Sequence, residues 1–240
     1  MPADLLDQTV VVLGGSAGIG LETARRARDA GASLILAARG AERLAQVARE
    51  LGPSRTAAFD AHDAAALRAF FADIPDAIDH VMVTAGAPHY GRALEMSADA
   101  ARQGLTADLL LVLEVARCAG ARMRPGGSLT FMTGTGARHP APGLAIVAAA
   151  TAAFSALVAN LALELAPLRI NVIAAGFVNT GLSASILGAS LERRLDELRE
   201  TLPIRRVVGP ADVAALAVHL MSNTALTGST YDVDGGQKLL

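Results

Sequence analysis

The sequence predicts an α/β protein built on a doubly wound parallel sheet of about seven strands, with helices on both faces. Short apolar strand patterns alternate with helix patterns along the whole chain of 240 residues. Alternating βα units produce a parallel sheet between helices, and right-handed crossovers place helices on both faces. A turn of spacing G-x-x-x-G-x-G directly follows the first strand pattern. Internal repeats and low-complexity linkers are absent from the sequence, so we expect one domain over residues 1–240.

The first strand pattern and the turn after it organise the rest of the chain. Residues 10–13 are all apolar, and three of them are valine, which is typical of a buried strand in a parallel sheet. Gly14 lets the chain turn sharply, and Gly18 and Gly20 let the backbone approach a ligand closely. A helix pattern over 19–30 follows, whose dipole and free N–H groups favour a phosphate. We therefore predict a Rossmann-type dinucleotide site, with a tight turn that binds no ligand as the alternative.

The remaining elements follow in regular alternation. Further strand patterns cover residues 34–36, 57–59, 80–84, 128–133, 169–174 and 229–233, and further helix patterns cover 41–51, 64–71, 98–123, 144–166, 192–202 and a stretch from 210. Gly31 is placed to end the first helix, Asp63 and Ser97 to cap the third and fourth, and Pro210 to open the last. A Pro-Gly-Gly sequence at 125–127 is expected to separate the fourth helix from the fifth strand. Ligands of such sheets bind beyond the carboxyl ends of the strands, so we expect a site where the glycine turn lies.

Composition and charge argue against several classes of function. The net charge of −2 gives no electrostatic footprint for nucleic acid or an anionic membrane. The histidines show no spacing typical of metal ligands, so we predict no metal site. Cys118 is the single cysteine, which excludes an internal disulfide and fits a reducing compartment. Its apolar helical surroundings favour a buried, inert thiol. No signal-peptide pattern precedes the first strand, and we expect a cytoplasmic protein.

One apolar stretch is long enough to be mistaken for a membrane span. Residues 144–163 have the necessary length, but they are mostly alanine and include Thr151, Ser155 and Asn160. A helix that packs on a sheet needs only one apolar stripe, whereas this helix is apolar nearly all round. We therefore predict a buried or subunit-interface helix. The helices around 98–123 and 144–166 are expected to form a homodimer or homotetramer with closed symmetry.

Motifs spread over nearly the whole chain resemble those of the short-chain dehydrogenase/reductase family. The glycine turn matches the family's motif, with Leu13 where threonine is usual. Residues 85–86 match the end of its Asn-Asn-Ala-Gly segment, although valine and threonine replace the asparagines. Residues 164–180 follow the family's run into the sixth strand, with Ala175 in place of proline, and residues 233–236 match its Val-Asp-Gly-Gly signature. The resemblance implies a Rossmann-type fold that binds NAD or NADP and acts on a small-molecule substrate.

The resemblance also implies which residues bind the cofactor. Members that prefer NAD place an aspartate at the end of the second strand, where this chain has Ala38 followed by Arg39. A guanidinium suits the 2′-phosphate of NADP, so we expect NADP(H) to be preferred over NAD(H), with a solvated surface arginine as the alternative. Asp60 matches the acidic residue that contacts adenine. The implied cofactor-binding residues are Gly14, Ser16, Gly18, Ile19, Gly20, Arg39, Asp60, Ala61, Ala85, Gly86, Val178 and Thr180.

The same motifs imply that the family's four catalytic residues are replaced in this chain. Members transfer a proton through a tyrosine, which a lysine four residues later assists, while a serine orients the substrate and an asparagine holds a water. The tyrosine and lysine positions are Val147 and Thr151, and the serine and asparagine positions are Gly134 and Asp108. Valine carries no proton and threonine no charge, so the usual acid–base mechanism cannot operate.

Three other residues are weak candidates for a proton source. His139 lies in the loop after the fifth strand and histidine titrates near neutrality, but it precedes a proline and is otherwise a solvated loop residue. Tyr90 follows the fourth strand, where its alternative role is packing the loop. Asp108 offers an inward carboxylate, or else it faces water. The sequence leaves these alternatives open.

Two hypotheses about function remain. The first is an NADP(H)-dependent oxidoreductase of short-chain dehydrogenase/reductase type, which acts on an unidentified small carbonyl or alcohol substrate through a non-standard proton source. The second is a catalytically silent dinucleotide-binding protein that acts as a sensor or a partner subunit. The glycine turn supports cofactor binding in both cases, and the excursion at 182–208 is long enough to serve as a substrate lid.

Overall fold

The computed structural model describes residues 5–52, 55–75, 77–138 and 140–240. Its strands are β1 (Thr9–Leu13), β2 (Ser33–Ala38), β3 (Arg55–Ala58), β4 (Ile78–Val83), β5 (Met123–Gly134), β6 (Arg169–Ala175) and β7 (Thr230–Val233). They form one sheet in the order β3-β2-β1-β4-β5-β6-β7, and each neighbouring pair is parallel. The chain crosses from one half of the sheet to the other after β3, so the ends of β1 and β4 lie at the switch point. The predicted doubly wound α/β fold is confirmed.

Helices cover both faces of this sheet. They are α1 (Gly18–Asp29), α2 (Ala41–Leu51), α3 (Ala64–Ala72), α4 (Ala98–Gly120), α5 (Ala145–Glu164), α6 (Gly181–Leu187), α7 (Leu191–Thr201) and α8 (Pro210–Ser222). Side chains of β1 alternate between two apolar layers. Val11 and Leu13 pack in the layer that includes α3, α4 and α5. Val10 and Val12 pack in the layer that includes α1, α2 and α8.

The predicted helix caps are present. The Asp63 carboxylate accepts hydrogen bonds from the backbone N–H groups of Ala65 and Ala66, at 2.9 and 3.1 Å. The Ser97 hydroxyl accepts one from the Ala100 N–H at 3.2 Å. Pro210 occupies the first turn of α8. The short polar side chains of Asp63 and Ser97 satisfy N–H groups that have no partner within the helix.

The boundary between α4 and β5 differs from the prediction. The helix ends at Gly120 rather than near 123, and the strand begins at Met123, so it runs through the predicted Pro-Gly-Gly break. The Ile78 N–H donates to the Arg122 carbonyl at 3.0 Å, which starts the pairing early. A Cβ on Gly127 would lie 2.5 Å from the Asp79 carbonyl oxygen, so glycine at this position allows β5 to pass close to β4.

The apolar helix α5 is less buried than a core helix. It is long and apolar enough to cross a membrane by length and composition, and 28% of its most apolar window is buried. Leu163 on α5 is 79% exposed, and Leu110 on α4 is 56% exposed. Cys118 on α4 is half-buried rather than fully buried as predicted, and burial raises the pKa of its thiol. An apolar face of α4 and α5 is therefore left without a partner in the single chain.

Candidate functional site

The glycine turn after β1 is shaped by contacts that exclude larger residues. Gly14 has a φ of +95°, and a Cβ on it would lie 2.4 Å from the Thr84 hydroxyl oxygen. A Cβ on Gly20 would lie 2.3 Å from the Gly14 carbonyl oxygen. Gly20 therefore packs α1 against the turn, which differs from the predicted role of admitting a ligand. Gly18, with a φ of +54°, has its nearest such contact at 3.6 Å, to Thr180.

The start of α1 fits a phosphate group. Ala17 stands at the N-cap, and its side chain makes no capping hydrogen bond; the first turn contains no acidic residue. The N–H groups and the positive end of the helix dipole are therefore available to an anion. Ser16 and Ile19, on either side of Ala17, are half-buried. The cradle that the glycines leave open fits the pyrophosphate of a dinucleotide.

The end of β4 is fastened to the same turn. The backbone N–H groups of Thr84 and Ala85 both donate to the Leu13 carbonyl, at 2.8 and 3.1 Å. The Thr84 hydroxyl donates to the same carbonyl at 3.1 Å. Gly86 follows with a φ of +142°, and a Cβ on it would lie 3.0 Å from a carboxylate oxygen of Asp108. Thr84, which replaces an expected asparagine, thus joins β4 to the glycine turn.

The ends of β2 and β3 bring two charged residues together. Arg39 is exposed directly after β2, and Asp60 is exposed after the neighbouring strand β3. The pKa of Asp60 is lowered, mainly because its carboxylate accepts a hydrogen bond from the His62 backbone N–H; the charge of Arg39 adds to the shift. Ala61, between Asp60 and His62 in the sequence, is buried. These residues occupy the edge of the site at which the resemblance expects the adenosine half of the cofactor.

His62 joins this edge to α4. Its Nε2 atom lies 3.0 Å from the Asp108 carboxylate, and its Nδ1 atom lies 3.4 Å from the Asp60 carboxylate. The hydrogen bond with Asp108 raises the pKa of His62, while desolvation opposes the shift. Sequence reasoning missed His62, because its partner lies far along the chain. The useful signal was its position shortly after β3, at the carboxyl ends of the strands where the cofactor site was expected.

Three of the residues that the resemblance assigns to catalysis, Gly134, Val147 and Thr151, lie around the end of β5 and the first two turns of α5. We call this place the reaction position. Gly134 is the last residue of β5, and a Cβ on it would lie 3.8 Å from Thr151 Cγ2. The Thr151 hydroxyl donates to the Ala148 carbonyl at 3.0 Å. Val147 is half-buried one turn earlier on the same side of α5. The structure therefore brings Gly134 and Thr151 together, the two residues that the resemblance assigns to the serine and lysine positions.

Asp108 reaches this region from the neighbouring helix. A Cβ on Gly104 of α4 would lie 2.7 Å from Ile146 of α5, so the two helices touch closely there. Both helices connect parallel strands and therefore run in the same direction. One further turn along α4 thus places Asp108 near the level of Thr151. Asp108 points toward Gly86 and His62 rather than outward to solvent alone. Its carboxylate is therefore part of the site.

The other proton-source candidates differ in placement. Tyr90 is 52% exposed, and the partial burial of its side chain raises the pKa of the phenol. Its neighbour Gly91 donates a backbone hydrogen bond to the Gly143 carbonyl at 3.0 Å, which holds the loop near the start of α5. His139 lies outside the described residues. His89, which sequence reasoning did not single out, is half-buried and packs against Gly104.

The last predicted cofactor residues lie at the start of α6. Val178 is buried and forms an isolated bridge with Val208. Thr180 is the N-cap of α6; its hydroxyl accepts a hydrogen bond from the Ser183 backbone N–H, and its own backbone N–H donates to the Ser183 hydroxyl, which together form a capping box. A Cβ on Gly18 would lie within 3.7 Å of Thr180, so the starts of α1 and α6 face each other. A ligand held by one helix start would also touch the other.

An ion cluster fixes the loop that precedes α5. Arg138, in the short turn Gly136–Arg138, pairs with Asp232 of β7, and Lys238 pairs with the same carboxylate. The two cations lower the pKa of Asp232 against the effect of its burial. Over the part of the chain that the structure describes, no group of three or more His, Cys, Asp or Glu is arranged to hold a metal ion.

Comparisons with known proteins agree with this geometry. A family model described as enoyl-(acyl carrier protein) reductase matches residues 14–238. Oxidoreductase UcpA of Salmonella typhimurium is 32% identical, over 98% of this chain and 96% of that protein. A small-chain dehydrogenase solved in complex with NADPH is 27% identical, with a TM-score of 0.84 over 98% of this chain and all of that one.

A further solved structure is also similar to this chain. It is a short-chain oxidoreductase from Pseudomonas aeruginosa PAO1, described as containing an atypical catalytic center. This chain is similar to it with 27% identity and a TM-score of 0.88, over 98% of both chains. The chain thus resembles these proteins over almost its whole length.

Proposed function

Because the chain belongs to the short-chain dehydrogenase/reductase family, we propose that it is an NADP(H)-dependent oxidoreductase of small carbonyl or alcohol substrates that lacks the family's tyrosine–lysine pair. That it is an oxidoreductase of this family with a nucleotide-binding fold follows from the matches. The cofactor preference, the substrate class and the proton source are the proposal. We also propose that the whole chain forms a single domain and that the protein is cytoplasmic.

The observation that carries the proposal is the cradle between the starts of α1 and α6. Gly18 faces this space without a side chain, and Thr180 borders it from the other side. It suits a pyrophosphate, because helix N-termini attract anions. The NADPH bound to the similar dehydrogenase supports the same kind of ligand here.

Preference for NADP(H) rests on the charges beside β2. Arg39 is exposed and free to reach a 2′-phosphate, while Ala38 offers no carboxylate to repel one. Asp60 already accepts a hydrogen bond from His62. A guanidinium and a phosphate form strong, bidentate hydrogen bonds. We therefore assign the 2′-phosphate to Arg39.

The residues at the reaction position do not include the family's usual proton donor. A bound dihydronicotinamide supplies a hydride. Gly134, Val147 and Thr151 shape the pocket beside it, but Val147 has no proton to give and the Thr151 hydroxyl is engaged with its own helix. Among the described residues nearby, His89 and Tyr90 carry exchangeable protons, whereas Asp108 is a carboxylate that hydrogen-bonds His62. The atypical catalytic center of the Pseudomonas relative supports a departure from the usual set.

Titration of NADPH and NADH, followed by nicotinamide fluorescence, tests the cofactor assignment. We expect NADPH to bind more tightly by about tenfold or more, which is the worth of one charge-assisted contact. Arg39→Asp should remove that preference, and the control Arg193→Asp, an exposed change on α7, should keep it. Equal affinities in the parent protein would contradict the assignment.

Turnover tests the oxidoreductase part of the proposal. A panel of small ketones, aldehydes and alcohols is assayed by absorbance of NADPH, with the parent and with Asp108→Asn, His89→Gln, Tyr90→Phe and His139→Ala. We expect slow reduction, since positioned acid–base catalysis contributes about 10²–10⁴ in rate. Tight NADPH binding without turnover of any compound would favour the silent dinucleotide-binding protein instead.

A further inference from the structure

The reaction position is electrically unusual, and this has a consequence for the substrate. Thr151, at the position where a lysine is expected, carries no charge, and its Cγ2 lies 3.8 Å from where a Cβ of Gly134 would be. No cation therefore projects from this point of α5. In the described residues around it, Arg138 pairs with Asp232 and Arg92 with Glu95, so both guanidinium groups have anionic partners.

A carboxylate lies at the same level on the next helix. Asp108 is about one-third exposed and contacts both Gly86 and His62. Close packing of Gly104 against Ile146 brings α4 beside the start of α5. The His62 ring hydrogen-bonds the same carboxylate from the adenosine edge of the site, and no cation stands opposite Asp108 on α5, so while His62 is neutral the field at the reaction position is set by this partly buried anion. Such a field stabilises a cation and disfavours an anion.

Proton supply points in the same direction. Reduction of a ketone needs a hydride at carbon and a proton at oxygen, because the alkoxide is a strong base. Val147, Gly134 and Thr151 offer no free acidic proton. An acceptor that is already cationic needs no proton, since hydride addition alone gives a neutral product.

Resting on the proposed function, we propose that the best hydride acceptor of this site is the cationic nitrogen analogue of a carbonyl, an iminium ion. Hydride from reduced nicotinamide dinucleotide forms a new C–H bond, and the π pair of the C=N bond moves to nitrogen. The iminium is reduced to a neutral tertiary amine, the dihydronicotinamide is oxidised, and no proton is taken from the protein. Asp108 holds the cation before transfer, and Thr151 leaves room without adding a positive charge.

The first test compares two compounds of the same shape. N-methyl-3,4-dihydroisoquinolinium is a fully alkylated iminium ion, and α-tetralone is a neutral ketone of matching size. Each is incubated with the protein and NADPH, and the reaction without protein is subtracted. We expect the protein-dependent rate for the iminium to exceed that for the ketone by at least tenfold. Equal rates, or a faster ketone, would overturn the inference while leaving the proposed function standing.

The second test uses charge variants. Thr151→Lys adds a cation, and Thr151→Met adds similar length without charge, so the ratio of their rates isolates the charge. We expect about tenfold slower iminium reduction by the lysine variant than by the methionine variant. Asp108→Asn should raise KM for the iminium severalfold, whereas Asp99→Asn, an exposed change at the start of the same helix, should not. Indistinguishable lysine and methionine variants would contradict the electrostatic argument.

The third test measures binding without chemistry. N,N-dimethyl-1,2,3,4-tetrahydroisoquinolinium cannot accept hydride, and 2,2-dimethyltetralin is its neutral carbon analogue. Calorimetric titration into the protein saturated with NADPH, whose nicotinamide ring is uncharged, should show at least tenfold tighter binding of the cation, and Asp108→Asn should reduce that difference. Equal binding of the two would refute the inference. Failure of the protein to bind NADP⁺ or NADPH would instead refute the proposed function on which it rests.

Discussion

Individual glycines in this protein differ sharply in what they tolerate. Gly20 leaves no room for a methyl group, because backbone atoms of the glycine turn lie 2.3 Å from the Cβ position. Gly120, at the end of α4, would place its Cβ 3.7 Å from Leu165, which is ordinary van der Waals contact. The two positions allow one substitution to be compared in opposite surroundings.

We predict that Gly20→Ala lowers the free energy of unfolding by about 2 kcal/mol or more, through overpacking against backbone that cannot move aside. It should also weaken NADPH binding, since α1 must shift from the turn. Gly120→Ala should change stability by about 0.5 kcal/mol or less. Urea denaturation measures both, and a fully stable Gly20→Ala protein would show that α1 can move at little cost.

His80 is a buried titratable residue far from the candidate site. It lies in β4, with Nδ1 2.8 Å from the Ser128 hydroxyl and Nε2 2.6 Å from the Gln8 side-chain oxygen. Burial lowers its pKa to about 4. An unfolded chain binds a proton at this residue near pH 6.5, so acid favours the unfolded state.

We predict that the free energy of unfolding falls as the pH drops from 6.5 toward 4, by about 3 kcal/mol through His80 alone. Above pH 6.5 this contribution is fully present and flat. His80→Gln, which keeps a hydrogen-bonding side chain without titrating in this range, should flatten the profile, whereas His219→Gln, on the exposed side of α8, should not. A profile unchanged by His80→Gln would mean that water reaches this histidine.

At the scale of elements, α8 depends on a single buried cation. Arg169 of β6 is 5% exposed, and burial lowers the pKa of its guanidinium. Its nitrogens donate hydrogen bonds only to backbone carbonyls among its described contacts, those of Gly126, Leu220, Met221, Asn223 and Leu226. The positive charge meets the negative end of the α8 dipole. Arg169 thereby joins the end of α8 to β6 and to the first part of β5.

We predict that Arg169→Met destabilises the protein by about 3 kcal/mol, since several buried carbonyls lose their partners at once. Arg194→Met is the matched control. That arginine pairs with Glu197 on the surface of α7, and such pairs contribute about 0–1 kcal/mol. Thermal unfolding of both variants decides the matter. A loss for Arg169→Met no larger than for Arg194→Met would show that water replaces the guanidinium.

Elements with local signals were predictable from the sequence, and contacts across the chain were not. Asp63 and Ser97 were identified as caps because each bonds to residues two or three positions ahead. The contacts of His62 with Asp108 and of Arg169 with α8 join residues far apart in sequence. Only the paired order of the strands brings such residues together. Motif spacing predicts that Val147 and Thr151 stand at the tyrosine and lysine positions, but what they would do there depends on their surroundings.

At the scale of the whole molecule, the exposed apolar face of α4 and α5 remains to be covered. Leu110 and Leu163 are more than half exposed on these helices. We predict that the protein is a homodimer or homotetramer through this face. Light scattering at micromolar concentration should show the oligomer, and Leu110→Lys with Leu163→Lys should convert it to smaller species. Leu94→Lys, at a fully exposed loop residue, is the control. A monomeric parent protein would contradict the prediction.

The ion cluster around Asp232 imposes an order on the maturation of the protein. Arg138 and the reaction position are translated long before Asp232 and Lys238, the residues to which the loop is fastened. While the ribosome extends the chain through α6, α7 and α8, the glycine turn has all of its partners, but the loop before α5 has not yet met its anchor. A nascent chain is therefore expected to become competent for the nucleotide before it becomes competent for the substrate.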